Sequence, residues 1–285
     1  MYQINFKEPC HIHFIGIGGI SMSGLAEILL KEGFTVSGSD AHISDLTTEL
    51  QQDGCIISYP QSADNITGDI DLVVYTAAIH PDNPELKAAV DAGIPTLTRA
   101  ELLGQIMKNY HTAVNVAGTH GKTTTTSMIT EILLAADADP TISVGGILNS
   151  IGGNIRVGRS DLFVTEACEY TNSFLSFFPN REVILNIEAD HLDFFKDIDD
   201  IRHSFRKFAE LLPAEGALII NALTVIPLKR FLLETSITFS YVIMRTCENL
   251  VKLRINQCKS FCKSLLTTAN FFLFRSVSLK SFLTG

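Results

Sequence analysis

Short unbroken apolar runs alternate along the chain with stretches whose apolar positions recur every three or four residues. Residues 11–17, His-Ile-His-Phe-Ile-Gly-Ile, read as a buried strand running into glycines. Residues 21–32 carry Leu25, Ala26, Ile28 and Leu29 at helical spacing, and Gly33 supplies a stop. Residues 34–37, 55–59 and 72–75 predict three further strands, and Pro84 and Gly93 bracket a helix. A second cycle starts at His111. Residues 112–117 predict a strand, a glycine-rich turn follows, and 122–136 predict a helix with Met128, Ile129, Ile132, Leu133 and Ala136 along one stripe. Residues 162–165, 183–186 and 218–220 predict buried strands, and 198–212 a helix.

Strand and helix in alternation imply the α/β class with doubly wound parallel sheets. The reading is a Rossmann-like domain at 1–106 followed by a central domain at 107–222, incomplete and of the P-loop ATPase type, also with a parallel sheet. The sequence shows neither internal repeat nor low-complexity segment.

Composition narrows the class. Of 285 residues, 46% are hydrophobic and 19% charged, enough apolar matter for a sizeable core and too much for disorder. A net charge of −9 argues against a nucleic-acid partner. No apolar run is long enough to predict a membrane span, and the first ten residues do not read as a signal peptide. Six cysteines without regular spacing fit reduced thiols in a cytoplasmic protein. Nothing in the sequence specifies an oligomeric state.

Charge is unevenly spread. Residues 223–285 hold nine Lys plus Arg against two acids, and Gly285 is their only glycine. Phe, Leu and Ser dominate there, unlike a polar basic arm. This tail is expected not to have evolved with the preceding fold, as a frameshift near codon 222 would produce. A lineage-specific extension is the other reading. Cys247, Cys258 and Cys262 lie in it without a nearby His, which makes no zinc site.

Gly118-Thr119-His120-Gly121-Lys122-Thr123-Thr124 sits between a predicted strand and helix, the context that gives a phosphate-loop motif meaning. Backbone N–H groups there can hold phosphate oxygens, Lys122 can neutralise terminal phosphates, and the Thr123 hydroxyl can bind Mg2+. The general motif has an earlier glycine where this chain has Val116, so the loop is a shortened form. The cluster Gly16-Ile17-Gly18-Gly19-Ile20-Ser21 follows the first strand, and Asp40 ends the second. Ser21 replaces the last glycine of the dinucleotide fingerprint, so a nucleotide diphosphate, NAD or a purely structural turn all fit. Glu166, at the tip of a strand beside the phosphate loop, can reach a metal. His191 is a candidate ligand for a second Mg2+, or a hydrogen-bonded loop residue, since hard cations prefer oxygen. Asp190 and Asp193 read equally as solvated loop charges.

Four segments in order resemble the Mur ligase family. They are residues 13–26 (HFIGIGGISMSGLA), Gly38-Ser39-Asp40, residues 117–125 (AGTHGKTTT) and residues 186–193 (NIEADHLD). The resemblance runs from about residue 10 to Ala222. Gly-Ile-Gly-Gly followed by Ser-Met-Ser-Gly favours the member that joins L-alanine to UDP-N-acetylmuramate with ATP. What the resemblance implies is three domains, for UDP-sugar, for ATP with Mg2+, and for closure, the last being expected to be absent here. Residues 118–124 would hold ATP phosphates, and Thr123, Glu166 and His191 the magnesium ions, with Lys122, Glu166 and His191 catalytic. Gly16, Gly18, Gly19, Ser39, Asp40, Thr76, Ala77, Ala78, Arg99 and Asn154 would contact the substrate, Asn154 following a Gly145-Gly146 turn. Cys168 stands where many members have Asp, while Glu166 and Glu169 remain. The rivals are a non-catalytic nucleotide- or UDP-sugar-binding protein, and an NAD-dependent Rossmann dehydrogenase.

Overall fold

A computed structural model describes residues 2–220. The sequence readings for 221–285, including the divergent tail and its three cysteines, lie outside the described residues.

In chain order the elements are β1 (His11–Ile15), α1 (Ile20–Lys31), β2 (Thr35–Ser39), α2 (Asp45–Gln52), β3 (Ile56–Ser58), β4 (Leu72–Tyr75), α3 (Pro84–Asp91), β5 (Thr96–Thr98), α4 (Arg99–Met107), β6 (Thr112–Ala117), α5 (Lys122–Ala135), β7 (Thr141–Leu148), β8 (Gly153–Arg156), β9 (Leu162–Glu166), β10 (Arg181–Ile184), α6 (Ile198–Ala209) and β11 (Ala217–Ile220). They form two compact units: residues 1–111 with 141–157, and residues 112–140 with 158 onward.

The first unit is built on a parallel sheet in the order β3-β2-β1-β4-β5. Central strand β1 is buried from Ile12 to Ile15, as a strand covered on both faces requires, with Ile12 and Phe14 on one face and His13 and Ile15 on the other. One layer of the core joins Ile15, Ile70, Val73, Leu86 and Ala89. The helices start where side chains satisfy their free N–H groups. Ser44 with Thr47 and Thr98 with Glu101 form capping boxes, and Asn83 caps α3 just before Pro84. Each such cap contributes about 1 kcal/mol.

In the second unit β11-β10-β6-β9 run parallel. Asp197 caps α6, whose acidic first turn and basic last turn suit the helix dipole. Phe208 of α6 stacks on Phe174, with ring centroids 4.5 Å apart.

Two local expectations change. The 145–146 glycines lie within β7, and the chain turns instead at residues 149–151, where Gly152 takes a φ of +73°. In α5 the predicted apolar stripe is not the buried one: Thr126 and Thr130 are buried, while Met128 and Ile132 are 59% and 50% exposed. Threonines four residues apart share a helix face, and that face is turned inward here.

Candidate nucleotide and phosphate sites

The first glycine cluster becomes a loop strapped to the end of β2. Gly16 takes a φ of +82°, and the N–H groups of Gly16 and Ile17 both donate to the Ser39 carbonyl, at 2.8 and 3.0 Å. The Gly18 N–H donates to Asp40 Oδ2 at 2.8 Å. A Cβ on Gly18 would lie 2.9 Å from that same oxygen and from Thr47, so only glycine fits without a shift. Gly19 then occupies the N-cap of α1. Sequence-predicted Gly16, Gly18, Gly19, Ser39 and Asp40 are thus brought together, with Thr76 beside Gly16. The remaining four stand on other segments. Ala77 and Ala78 follow β4, Arg99 opens α4 and Asn154 lies in β8.

The second loop, at residues 118–124, joins β6 to α5. Gly118 at φ +142° and Gly121 at +84° adopt conformations that other residues rarely take. At Gly118 a Cβ would also meet Leu185 and Asn186 at 3.0–3.3 Å. The Asn186 side chain fixes the loop from the end of β10. It accepts from the His120 N–H at 2.8 Å and donates to the His120 carbonyl at 3.0 Å. Thr119 ties the loop to Glu188, accepting the Glu188 N–H at 2.9 Å.

Lys122 folds back over the loop. Its Nζ reaches the Gly118 carbonyl at 2.6 Å and both oxygens of Glu169 at 2.9 and 3.1 Å. Glu169 is 2% exposed, so the ammonium is its charge partner in a poorly solvated place. Thr123 donates to Glu166 Oε2 at 3.1 Å. His191 sits at φ +51°, an uncommon conformation for a non-glycine residue, with Nε2 3.9 Å from Glu169. Its ring packs on Tyr170 with centroids 4.6 Å apart. The Tyr170 hydroxyl donates to Asp193, which holds its pKa above the ordinary value. Lys122, Thr123, Glu166 and His191, scattered over seventy residues of sequence, therefore converge.

Asn186 and Glu169 were not among the sequence-predicted site residues, although Asn186 opens one of the segments that carried the resemblance and Glu169 follows Cys168 in the acidic stretch noted beside them. Among the described residues no three His, Cys, Asp or Glu side chains form a ready metal cage. The hard oxygens of Thr123 and Glu166 nonetheless suit Mg2+, which takes one or two protein oxygens and completes its shell with phosphate and water.

This geometry has close relatives. UDP-N-acetylmuramate–L-alanine ligase of Lachnospira eligens is 75% identical over 221 residues, covering 78% of this chain and 48% of that protein. The enzyme of the same name from Agathobacter rectalis is 72% identical with the same coverage. The chain thus spans about half the length of the curated relatives it matches. Among solved structures, the UDP-N-acetylmuramate–alanine ligase MurC of Thermotoga maritima aligns with a TM-score of 0.65 and 33% identity, covering 74% of this chain and 49% of that one. The UDP-N-acetylmuramate:L-alanyl-γ-D-glutamyl-meso-diaminopimelate ligase from Neisseria meningitides aligns with a TM-score of 0.72 and 28% identity, covering 82% and 78%. Residues 11–111 match the family model described as Mur ligase family, catalytic domain. Residues 116–266 match the Mur ligase middle domain, a span that runs past Ala222. With both loops built as their motifs predict and more than half of the sequence within one family domain, the chain belongs to the Mur ligase family.

Proposed function

We propose that this chain supplies the UDP-sugar-binding and ATP-binding parts of a cytoplasmic ligase that joins L-alanine to UDP-N-acetylmuramate in peptidoglycan precursor synthesis. The observation that carries the reading is the convergence of Lys122, Thr123, Glu166 and Glu169 on one phosphate loop, in a chain 75% identical to an enzyme of that name. ATP phosphates rest on the N–H groups of residues 118–124, and the UDP moiety on the Gly16–Gly19 loop with Ser39 and Asp40. Thr76, Ala77, Ala78, Arg99 and Asn154 contribute to the same substrate.

A carboxylate is a poor acylating agent, and phosphorylation gives it a leaving group. The lactoyl carboxylate of the sugar attacks the γ-phosphorus, ADP departs, and an acyl phosphate forms. The amine of L-alanine then displaces phosphate to give the amide. Lys122 exchanges its contact with Glu169 for the transferring phosphoryl group and offsets its charge. Thr123 and Glu166 would hold Mg2+, with His191 beside them, and the cation would supply further charge neutralisation. Asn186, by fixing both faces of the His120 peptide, keeps the loop preorganised.

The test uses the 285-residue chain itself. Titration calorimetry with UDP-N-acetylmuramate and with ATP is expected to show saturable binding of each. Incubation of both with labelled L-alanine and Mg2+ reports ligation. Labelled UDP-N-acetylmuramoyl-L-alanine shows that the chain ligates by itself, saturable binding of both nucleotides without product leaves it the binding parts of the ligase, and no binding of either nucleotide refutes the proposal.

A further inference from the structure

Beneath the Gly16–Gly19 loop runs a chain of polar side chains with no part in the chemistry above. Asp69 Oδ2 lies 3.0 Å from His11 Nδ1, and His11 Nε2 lies 2.8 Å from Ser37 Oγ. Ser37 Oγ lies 2.8 Å from His13 Nδ1, and His13 Nε2 lies 2.9 Å from Glu85 Oε1. Ser39 donates to Glu85 Oε2 at 2.5 Å. Ser39 is the residue whose carbonyl straps the glycine loop. The outer end is wet, with Asp69 73% exposed, whereas His13, Glu85 and Ser39 are 2%, 0% and 0% exposed. The charged groups facing the chain are Asp69 and Asp71 at the outer end, Glu85 at the inner end, and Asp40 just beyond Ser39.

A count of hydrogens constrains this chain. The four contacts from Asp69 to Glu85 need one hydrogen each. Two neutral imidazoles supply two and the Ser37 hydroxyl a third. The fourth must be an additional proton. If it sits at the outer end, His11 is doubly protonated, Ser37 donates to His13, and neutral His13 donates to Glu85. If it sits at the inner end, Ser37 donates to His11, and the extra proton lies between His13 Nε2 and Glu85. The two arrangements differ only by one hydrogen moving across each of the two contacts of the Ser37 hydroxyl, so the proton passes between surface and interior with no heavy atom displaced.

We propose that Asp69, His11, Ser37, His13 and Glu85 form a proton-sharing relay whose buried end positions Ser39, and through it the nucleotide-diphosphate loop. This rests on the UDP-sugar reading of that loop only for its ligand; the relay itself does not depend on it. A bound diphosphate raises negative charge near Ser39 and so favours the chain that holds its fourth proton, taken up through His11, over the chain that lacks it. Glu85 is thus a positioning residue for nucleotide binding.

The experiment is histidine-ring 15N NMR of the full chain across pH, with His11 and His13 assigned by single substitution. A shared proton makes a pH-dependent step appear in both rings at once, because in a coupled pair the step belongs to the pair and not to either ring. Asp69→Asn, at an exposed position, is expected to shift that step in both rings together, and Ser37→Ala to split it in two. Independent steps in the native chain, or a response to Asp69→Asn confined to His11, overturn the relay. Calorimetry with UDP in buffers of different ionisation enthalpy then tests the coupling. Net proton uptake on binding, lost in Ser37→Ala, and a roughly tenfold weaker UDP affinity in Glu85→Gln, the equivalent of about 1.4 kcal/mol, are expected. UDP binding with no proton uptake, or unchanged by Glu85→Gln, overturns the positioning role. A shared titration step in a chain that does not bind UDP leaves the relay standing and refutes the nucleotide reading of the loop instead.

Discussion

At the scale of single residues, two buried carboxylates make opposite demands. Glu169 has a partner: Lys122 is held at 2.9 Å in a place with little solvent. Removing one member of such a pair leaves an uncompensated buried charge, at a cost of about 3–5 kcal/mol. Lys122→Ala is therefore expected to lower the unfolding free energy of the second unit by about 3 kcal/mol while also abolishing ATP binding. In chemical denaturation, adding Glu169→Gln to Lys122→Ala is expected to recover most of that loss. If the double variant is no more stable than Lys122→Ala, the pair carries no such coupling. Glu182 of β10 has no partner; both carboxyl oxygens are buried without a hydrogen bond among the described residues. Burial alone pushes its pKa well above the ordinary 4.5. The folded state then keeps a proton that the unfolded chain releases. Stability is full below about pH 4 and falls, by up to about 1.4 kcal/mol per pH unit, as pH rises toward the folded value. Glu182→Gln is expected to raise the melting temperature at pH 8 and to leave it nearly unchanged at pH 4. Equal gains at both pH values would show that packing, not ionisation, sets the effect.

At the scale of elements, most of the fold was legible because its strands are short, apolar and terminated by glycine. Strands β4 and β6 and the starts of α3 and α6 coincide with their predicted positions, since Pro84 at a first turn and a capping Asp197 are local signals. Helices α2 and α4 were not anticipated, although each opens on a capping box, because their apolar stripes are short. The α5 stripe misled for a different reason. Buried threonine is indistinguishable from exposed threonine in sequence, so a helix that turns Thr126 and Thr130 inward violates the periodic signal. The loops themselves were legible as motifs, but their bracing was not: Asn186 clamping His120 and Glu85 holding Ser39 join residues 66 and 46 positions apart. Helix α6 offers the clearest packing test. Phe208 is fully buried and stacked on Phe174. Phe208→Ala is expected to cost about 3–5 kcal/mol, against less than about 1.5 for Phe208→Leu if the site repacks. A loss under 1 kcal/mol for the alanine variant in urea denaturation would mean that α6 is not part of the cooperative core.

At the scale of the whole molecule, the two units carry separate glycine loops, the proposed UDP and ATP sites, each at the C-terminal end of parallel strands and the start of a helix, where orphan N–H groups and the helix dipole favour anions. Ligands that bind only the folded state stabilise the part that holds them, by about 2.7 kcal/mol at a hundredfold excess over Kd. UDP should therefore slow amide exchange across β1, α1, β2 and the 76–79 turn while leaving residues 112–140 unchanged. ATP should protect β6, α5 and the 166–195 segment while leaving 11–40 unchanged. Hydrogen-exchange mass spectrometry of the 285-residue chain separates these responses peptide by peptide. Protection confined to each ligand's own unit is the expected result, because the contacts described for the glycine loop lie within 11–85 and those described for the phosphate loop within 116–195. Protection of the phosphate loop by UDP alone would reassign the diphosphate to Lys122 and deprive the Gly16–Gly19 loop of its proposed ligand.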